Sequence, residues 1–420
     1  MGDSVIINGK VFTDKIGEKA LCSIADRTVI VPEGITEIGN SAFIDGKMEI
    51  IKLPSTLKNI GDKAFANCQY ITKIEIPDSV INIGESAFSG CKSLKSVKLP
   101  SSLKKIEGYT FWNCRSLESI EIPDSVTEIG SMAFFFCLSL ERVKLSNSLQ
   151  ELKSETFFRS PFKEIIFPDS LKRIESEAIR FCYNIESIHI PKSVECIEGI
   201  VAYDTPNLKT ITVAEENKFY DSRDNCNAII ETATNTLIQG ISSTFPASVR
   251  VIGNSAFTVI NDIETIDIPS TIEKIGFFAY GTCESAKKIT IPASVKEIGI
   301  SPFSQTPNVD IIEVDKDNKF YDSRDNCNAI IETATNTLLK GCNTTIIPYG
   351  VEKIAHNAFS NCKNLTTLTI PKTVKSFDSF FINGCDNLKT IKVPKGKGEY
   401  YKELIKEHSS DLASLIVEED

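Results

Sequence analysis

The chain has 420 residues, 41% of them hydrophobic, and a mildly acidic formal charge of −10. That balance argues against a nucleic-acid partner, which wants a basic stripe. No apolar run approaches a bilayer span, so no membrane insertion is expected.

The first residues, MGDSVIINGKVF, contain no apolar signal-peptide core. Ile6 stands where myristoylation wants Ser or Thr. The chain begins inside a strand-like segment, so a leader removed beforehand is expected, the alternative being a cytoplasmic protein. Residues 1–30, with strand-like stretches at Val5–Phe12 and Ala20–Ile30, read as an N-terminal capping segment.

From residue 31 a signature recurs about every 23 residues. It reads IPDSV at Ile76–Val80, LPSSL at Leu99–Leu103, IPDSV at Ile122–Val126, IPSTI at Ile268–Ile272, IPASV at Ile291–Val295 and IPKTV at Ile370–Val374. A period in this range marks a solenoid, which grows in one dimension and buries each turn only against its neighbours. In the turn Leu94–Leu117, Leu94, Val97 and Leu99 have the spacing of a short strand with alternate side chains inward. Pro100 ends the pairing, because it has no N–H to donate. Ser102 can bond backbone groups where the chain turns, and Ser79, Ser125, Ser148, Ser170, Ser193 and Ser294 share its phase. Leu103 and Ile106 point inward again. Thr110, Phe111 and Cys114 then read as one face of a single helical turn.

The Phe positions, Phe43, Phe65, Phe88, Phe111, Phe134 and Phe157, resume at Phe257, Phe303 and Phe359 and predict a stacked spine. Counted by phase, sixteen strands end between Val31 and Val393, with ends near Phe167, Phe245 and Ile347 among them. The expected fold is α/β: a right-handed curved leucine-rich-repeat solenoid over 31–393, a parallel β-sheet on one face and short helical turns on the other.

Two stretches break the period, and both carry the same 21 residues at Asn217–Leu237 and Asn318–Leu338. Ala228–Glu231, a turn at Thr232–Asn235 and Thr236–Ile238 read as a β-hairpin. The hairpin inserts are placed at 214–244 and 315–346. They are expected to project from one side, about 19 Å apart at ordinary strand spacing. Either recent duplication or bivalent engagement of a repeating ligand accounts for the identity. Residues 394–420 read as a C-terminal capping helix, in which Tyr400, Leu404, Ile405 and Leu412 have helical spacing.

The string I-P-x-S-V-x-x-I-G-x-x-A-F-x-x-C, nearly intact at Ile76–Cys91, resembles the BspA-type leucine-rich repeat. The resemblance runs from about Val31 to Val393. It includes the insert string DNCNAIIETATNTL and the terminal VPKG. The sequence departs from it where Leu145-Ser146-Asn147 lacks the Pro and where Ile179 and Ala202 replace the Phe. The resemblance implies a cell-surface or secreted adhesin of the kind found in Bacteroidales and related anaerobes. Such a protein is non-enzymatic and binds protein or glycan ligands, host extracellular matrix among them. The alternative is a structural spacer that presents another module.

Thirteen cysteines do not suit a complete disulfide framework. Cys68, Cys91, Cys114 and Cys137 are 23 apart, and Cys182, Cys283, Cys362 and Cys385 keep the phase. They read as small buried thiols rather than a metal ladder, since metal sites want clustered ligands. His189, His356 and His408 stand in unrelated contexts, and no catalytic motif is present. Asp315, Asp317, Asn318, Asp322 and Asp325 make an oxygen-rich loop without EF-hand spacing. No cofactor and no metal are expected.

Two candidate ligand-binding surfaces stand out. On the strand face, the position before the last apolar residue of each strand gives Lys52, Glu75, Lys98, Glu121 and Lys144, alternating in sign. This is either a solvated ladder that avoids like-charge repulsion or a charge-patterned docking face. Beside the Phe spine lies an aromatic stripe, Trp112, Phe135, Phe158 and Tyr203, with Phe136 and Phe181 one position on. Its rings either widen the core or mark a contact surface.

Overall fold

The computed structural model describes residues 5–7, 9–242, 244–258, 260, 263–406 and 410–419. His408 lies outside the described residues. The chain forms two compact units, Met1–Asp221 and Ser222–Asp420.

In the first unit the expected strands form and pair in parallel. Thr28–Ile30 lies against Ile50–Lys52, Lys73–Glu75 against Ser96–Lys98, Ser119–Glu121 against Arg142–Lys144, and Ser187–Ile190 against Thr210–Val213. Alternation sets the faces: Ile74 and Ile76 are buried and Glu75 between them is exposed. No strand forms at Phe167, Phe245 or Ile347. Before Ile347, in the second unit, the Asn343 amide and the Thr344 hydroxyl take the Val309 and Asp310 carbonyls, at 3.1 and 2.5 Å, in place of a backbone strand.

A second parallel ladder, not anticipated from the sequence, runs through the Ile that follows each Pro by six residues. Lys15–Ile16, Glu37–Ile38, Asn59–Ile60 and Asn82–Ile83 form one sheet. Lys105–Ile106, Glu128–Ile129, Glu151–Leu152, Arg173–Ile174 and Cys196–Ile197 form the next.

The expected helical turns are absent from the repeats. The Ala-Phe segment is a stack of tight turns in which Phe43, Phe65, Phe88 and Phe111 donate their N–H groups to the next turn, at 2.8–2.9 Å, and not to i−4. A helix would forfeit these bonds between turns. In the first unit such a turn commonly takes two left-handed residues, for example Lys63 and Asn67 with φ of 55° and 59°. The Phe spine forms as expected: rings from Phe43 to Phe157 stack at 5.2–5.6 Å within 8° of parallel. Offset aromatic contacts of this kind contribute about 0.5–1.5 kcal/mol each beyond burial.

The second unit repeats the plan with a different start. Ala228–Glu231 and Thr236–Gly240 form the expected antiparallel hairpin, and its second strand opens a parallel ladder through Val251–Ile252, Lys274–Ile275 and Glu297–Ile298. The second copy does the same, Ala329–Glu332 with Thr337–Gly341 leading into Lys353–Ile354 and Ser376–Phe377. The hairpins therefore do not project. Ile229, Ile230 and Leu237 are buried, as are Ile330, Ile331 and Leu338, because Leu237 and Leu338 occupy the core position of the ladder Ile. Gly240 covers the Phe257 ring so closely that a Cβ would stand 2.8 Å from it.

The C-terminal segment is more than a helix. Gly398–Lys406 and Ser410–Ala413 are helical, and Ile416–Glu419 then adds a parallel strand to Thr390–Pro394. The buried face of the first helix is Tyr401 and Ile405, while Tyr400 is exposed.

Candidate functional site

The strand face carries Lys52, Glu75, Lys98, Glu121 and Lys144, all exposed as the alternation requires. Neighbours in register have opposite sign: Glu75 faces Lys98 and Glu121 faces Lys144. Lys144 Nζ pairs with Glu121, and the Glu121 carboxylate raises the Lys144 pKa. Glu75 bonds Lys73 at 2.8 Å, and that bond, with Lys98 behind it, holds the Glu75 carboxyl below its ordinary value. The charges compensate one another, so this face has no single-sign field. The same column holds Ile30 and Ile166, 59% and 73% exposed, then His189, whose Nδ1 lies 2.9 Å from Thr212 Oγ1. Where the strand at Phe167 is missing, a depression of about 590 Å³ opens between Arg142, Val143, Lys163, Ile166 and Asn184. Periodicity does not reveal it, because it arises from a strand that fails to form.

The aromatic stripe resolves into a cluster with one member apart. Phe135 and Tyr203 are half-buried, and Phe158 is buried at 8% exposure, so Phe158 supports the cluster and is not its contact surface. Phe135 and Phe158 stack at 4.0 Å, Phe136 meets both edge-on, and Phe181 links Phe158 to Tyr203. Trp112 is half-buried, and among the described residues no ring contact joins it to the others.

Two cations complete the cluster. The Arg159 guanidinium lies over Phe136 and Phe181 at 5.5 and 5.6 Å, and Arg180 lies over Phe181 and Tyr203 at 5.0 Å each. Cation–π contacts contribute about 0.5–2 kcal/mol, more as water is excluded. Arg180 is also held by Glu155 at 2.7 Å and Glu177 at 2.8 Å. Burial raises the Glu177 carboxyl and the Tyr203 hydroxyl above their ordinary pKa values, although Arg180 opposes both shifts. The arginines went unassigned in the sequence reading. The available signal was their position, Arg159 directly after Phe158 and Arg180 directly before Phe181.

The backbone under the cluster is strained. The second left-handed residue of each turn is Asp45, Asn67, Gly90 and Asn113 in four successive turns, and then Phe136, Arg159 and Phe181 at φ of 56–59°. Gly, Asn and Asp tolerate this region, whereas bulkier residues there cost about 1–3 kcal/mol each. Three successive turns thus carry large side chains at a position that Asp, Asn or Gly fills in the four turns before, while the first left-handed position takes bulky residues such as Lys63, Tyr109 and Met132 in ordinary turns too.

The cysteine column is structural. Sγ of Cys68, Cys91, Cys114 and Cys137 donates to the Phe carbonyl of an earlier turn at 3.0–3.3 Å. Burial pushes the Cys68 and Cys182 thiols up to about 12. In the acidic loop the side chains of Asp315, Asn318 and Asp322 are already engaged. The Asn318 amide donates to Pro292 and Val295, and Asp322 clasps Arg324 at 2.7 Å. Among the described residues no helix is long and apolar enough to cross a membrane.

The BspA type leucine rich repeat region, in six copies, matches residues 14–122, 104–230, 222–331 and 335–419. Among solved structures the chain is similar to a leucine rich cell surface protein from Faecalibacterium prausnitzii A2-165, at 23% identity and a TM-score of 0.52 over 90% of each chain. It is also similar to a leucine-rich repeat protein from Bacteroides ovatus ATCC 8483, at 20% identity and a TM-score of 0.44 over 100% of this chain and 90% of that one. No curated protein matches it.

Proposed function

The chain belongs to the BspA-type leucine-rich-repeat family, and from that premise we propose that it is a non-enzymatic adhesin at the cell surface or secreted from it. Its ligand anchor is the aromatic–arginine cluster of Phe135, Phe136, Phe181, Tyr203, Arg159 and Arg180. Residues 1–30 and 394–420 serve as its caps. The observation that carries this reading is the gathering of stacked and edge-on rings and two guanidinium groups into one half-exposed patch. Tyr, Trp, Phe and Arg are the groups enriched at the energetic centres of protein interfaces. The cell-surface description of the Faecalibacterium relative supports the location.

The test is binding of the purified chain to an array of matrix proteins, glycans and intact microbial cells, alongside Phe135→Ala/Arg159→Ala. A partner that the wild type holds and the double variant loses by tenfold or more, at an unchanged unfolding temperature, supports the site. A partner that the double variant retains refutes it. Binding to nothing on the array favours the spacer alternative.

A further inference from the structure

The second unit breaks the surface pattern of the first at one row. Each Ile-Gly pair of the first unit is followed by a polar residue: Glu18, Asn40, Asp62, Glu85 and Ser131. In the second unit that position holds Asn254, then Phe277, Ile300 and, after Ala355, His356. Phe277 is 50% exposed and Ile300 64%, so neither serves the core. Exposed apolar side chains in series mark contact surfaces.

A cavity of about 530 Å³ opens at Ile300 and His356, within the range of about 300–1,000 Å³ that small-molecule sites occupy. It exists because one ladder stops there. Glu297–Ile298 is the last strand of its sheet, and the next ladder restarts from the second hairpin at Thr337–Gly341. The lining draws on both: Ile300 and Pro302 follow the last strand, and Glu332, Thr335 and Leu339 belong to the hairpin. The two sides are tied together, since the Asn357 amide donates to Ser301 Oγ at 3.2 Å. The His356 ring is steadied edge-on by Phe380 at 5.8 Å. The cavity is therefore preformed.

Its chemistry selects the ligand. Lys353 pairs with Asp378 at 2.9 Å and Lys375 with Glu352 at 2.7 Å, so both lysines of the lining are already matched. Matched charges present no strong field to draw an anion. Glu332 accepts from the Thr335 hydroxyl, which lies 2.8 Å from Thr337 Oγ1. A carboxylate accepts several bonds, so Glu332 keeps capacity for a ligand hydroxyl. An extended peptide would add to a strand edge through backbone N–H groups. The edge here is two residues long, and its Ile298 N–H already goes to the Tyr321 hydroxyl at 2.9 Å. A ring with one C–H face and a hydroxylated rim matches what is left.

We propose that this cavity binds a neutral, hexose-sized saccharide unit. Its C–H face lies on Ile300, Pro302 and the His356 imidazole, and its hydroxyls bond Glu332, Thr335 and the Lys353–Asp378 pair. The site shares no residue with the aromatic–arginine cluster, so it stands or falls apart from the anchor assigned above.

The test is titration of the full chain with glucose, galactose, mannose, N-acetylglucosamine and N-acetylgalactosamine, read by the imidazole resonances. The His356 signals are identified by their loss in His356→Asn. At least one of these sugars is expected to shift them saturably and to leave those of His189 in place. Ile300→Asn/Glu332→Gln is expected to weaken that binding about tenfold or more, as loss of a bond to a charged group does. Asn stands at the position of Ile300 in two other turns, as Asn40 and Asn254, and an unchanged unfolding temperature checks that the variant is folded. Phe135→Ala/Arg159→Ala is expected to bind the sugar as the wild type does. The proposal is overturned if none of the five sugars moves the His356 signals, or if only sialic acid, a sulfated disaccharide or an extended peptide does. Wild-type affinity in Ile300→Asn/Glu332→Gln, or loss of the sugar in Phe135→Ala/Arg159→Ala, overturns it equally.

Discussion

The Ser102 hydroxyl donates to the Val80 carbonyl of the preceding turn at 2.6 Å. Ser79, Ser125, Ser170 and Ser193 do the same to Leu57, Leu103, Leu149 and Leu171. Where the Pro is missing, Ser146 reaches Val126 instead. Wherever the repeat stops, another group takes the Ser's place. Asn217 donates to Pro191 and Val194, Asn318 to Pro292 and Val295, and the Tyr401 hydroxyl to Pro371 and Val374. Turns of the first unit and the ends of the repeat thus fill this carbonyl site, whereas Thr271 and Ser294 at the same phase in the second unit have no hydrogen-bond partner among the described residues. Replacing Ser102 by Ala leaves the Val80 carbonyl with one partner fewer and is expected to cost about 1–2 kcal/mol, read by chemical denaturation. No loss at all would mean that water fills the site equally well.

Asn318 carries a heavier load. It donates two bonds and accepts two more, from the Phe320 and Tyr321 N–H groups at 2.8 and 2.9 Å. Tyr321 in turn accepts from the Ile298 N–H at 2.9 Å and so closes the ladder edge. Asn318→Ala is expected to cost about 2–4 kcal/mol, with hydrogen exchange rising at Pro292–Ile298. Exchange that rises only within 318–322 would count against this capping role. The same four bonds at Asn217 give the identical inserts a shared physical constraint.

At Phe136, stability and binding should part company. Phe136→Asn removes left-handed strain of about 1–3 kcal/mol but also removes edge contacts to Phe135 and Phe158. The two effects nearly offset, so the unfolding temperature should move little. Binding of an identified ligand should fall severalfold. A large destabilisation would show that the ring belongs to the core.

Three carboxylates tie adjacent turns through the residues after the Pro. Glu33 accepts from Ser55, Asp78 from Ser101 and Asp124 from Asn147, each at 2.8–2.9 Å. Those bonds, to backbone N–H groups first, hold all three below their ordinary pKa values. A carboxyl whose folded pKa is depressed contributes stability above its unfolded pKa, lost as pH falls through the folded value. Unfolding temperature should therefore drop as pH is lowered through about 4 and below. It should drop less in the Glu33→Gln/Asp78→Asn/Asp124→Asn variant, and parallel curves would exclude these groups as the cause.

The strand-face charges make a second surface whose role binding can decide. Exposed ion pairs contribute about 0–1 kcal/mol each, so replacing Lys52, Glu75, Lys98, Glu121 and Lys144 by Gln should lower stability modestly. If the face is a docking surface, binding falls with them; unchanged affinity for every identified partner assigns the ladder to solvation alone.

Much of this molecule is determined by its sequence without reference to the fold. The period places Phe111, Cys114 and Val97 in phase, and each meets its equivalent one turn away, because a solenoid turn has only itself repeated to pack against. The Ser phase, the spine, the cysteine column and the hairpin strands follow from that. The tertiary structure decided what depends on bonds across turns. Phe88 and Thr110 are 22 residues apart, and the N–H of one prefers the carbonyl of the other to a helical partner, so the expected helical face became stacked turns. Leu237 reads as hairpin in its own segment yet fills a core position, because the vacant ladder beside Ile252 pairs its backbone and buries its side chain. Phe158 is covered by rings from Phe135 and Phe181 on either side, so a stripe that looks exposed turn by turn has a buried centre. Local periodicity reports which way a side chain points, and the neighbouring turn decides what it touches.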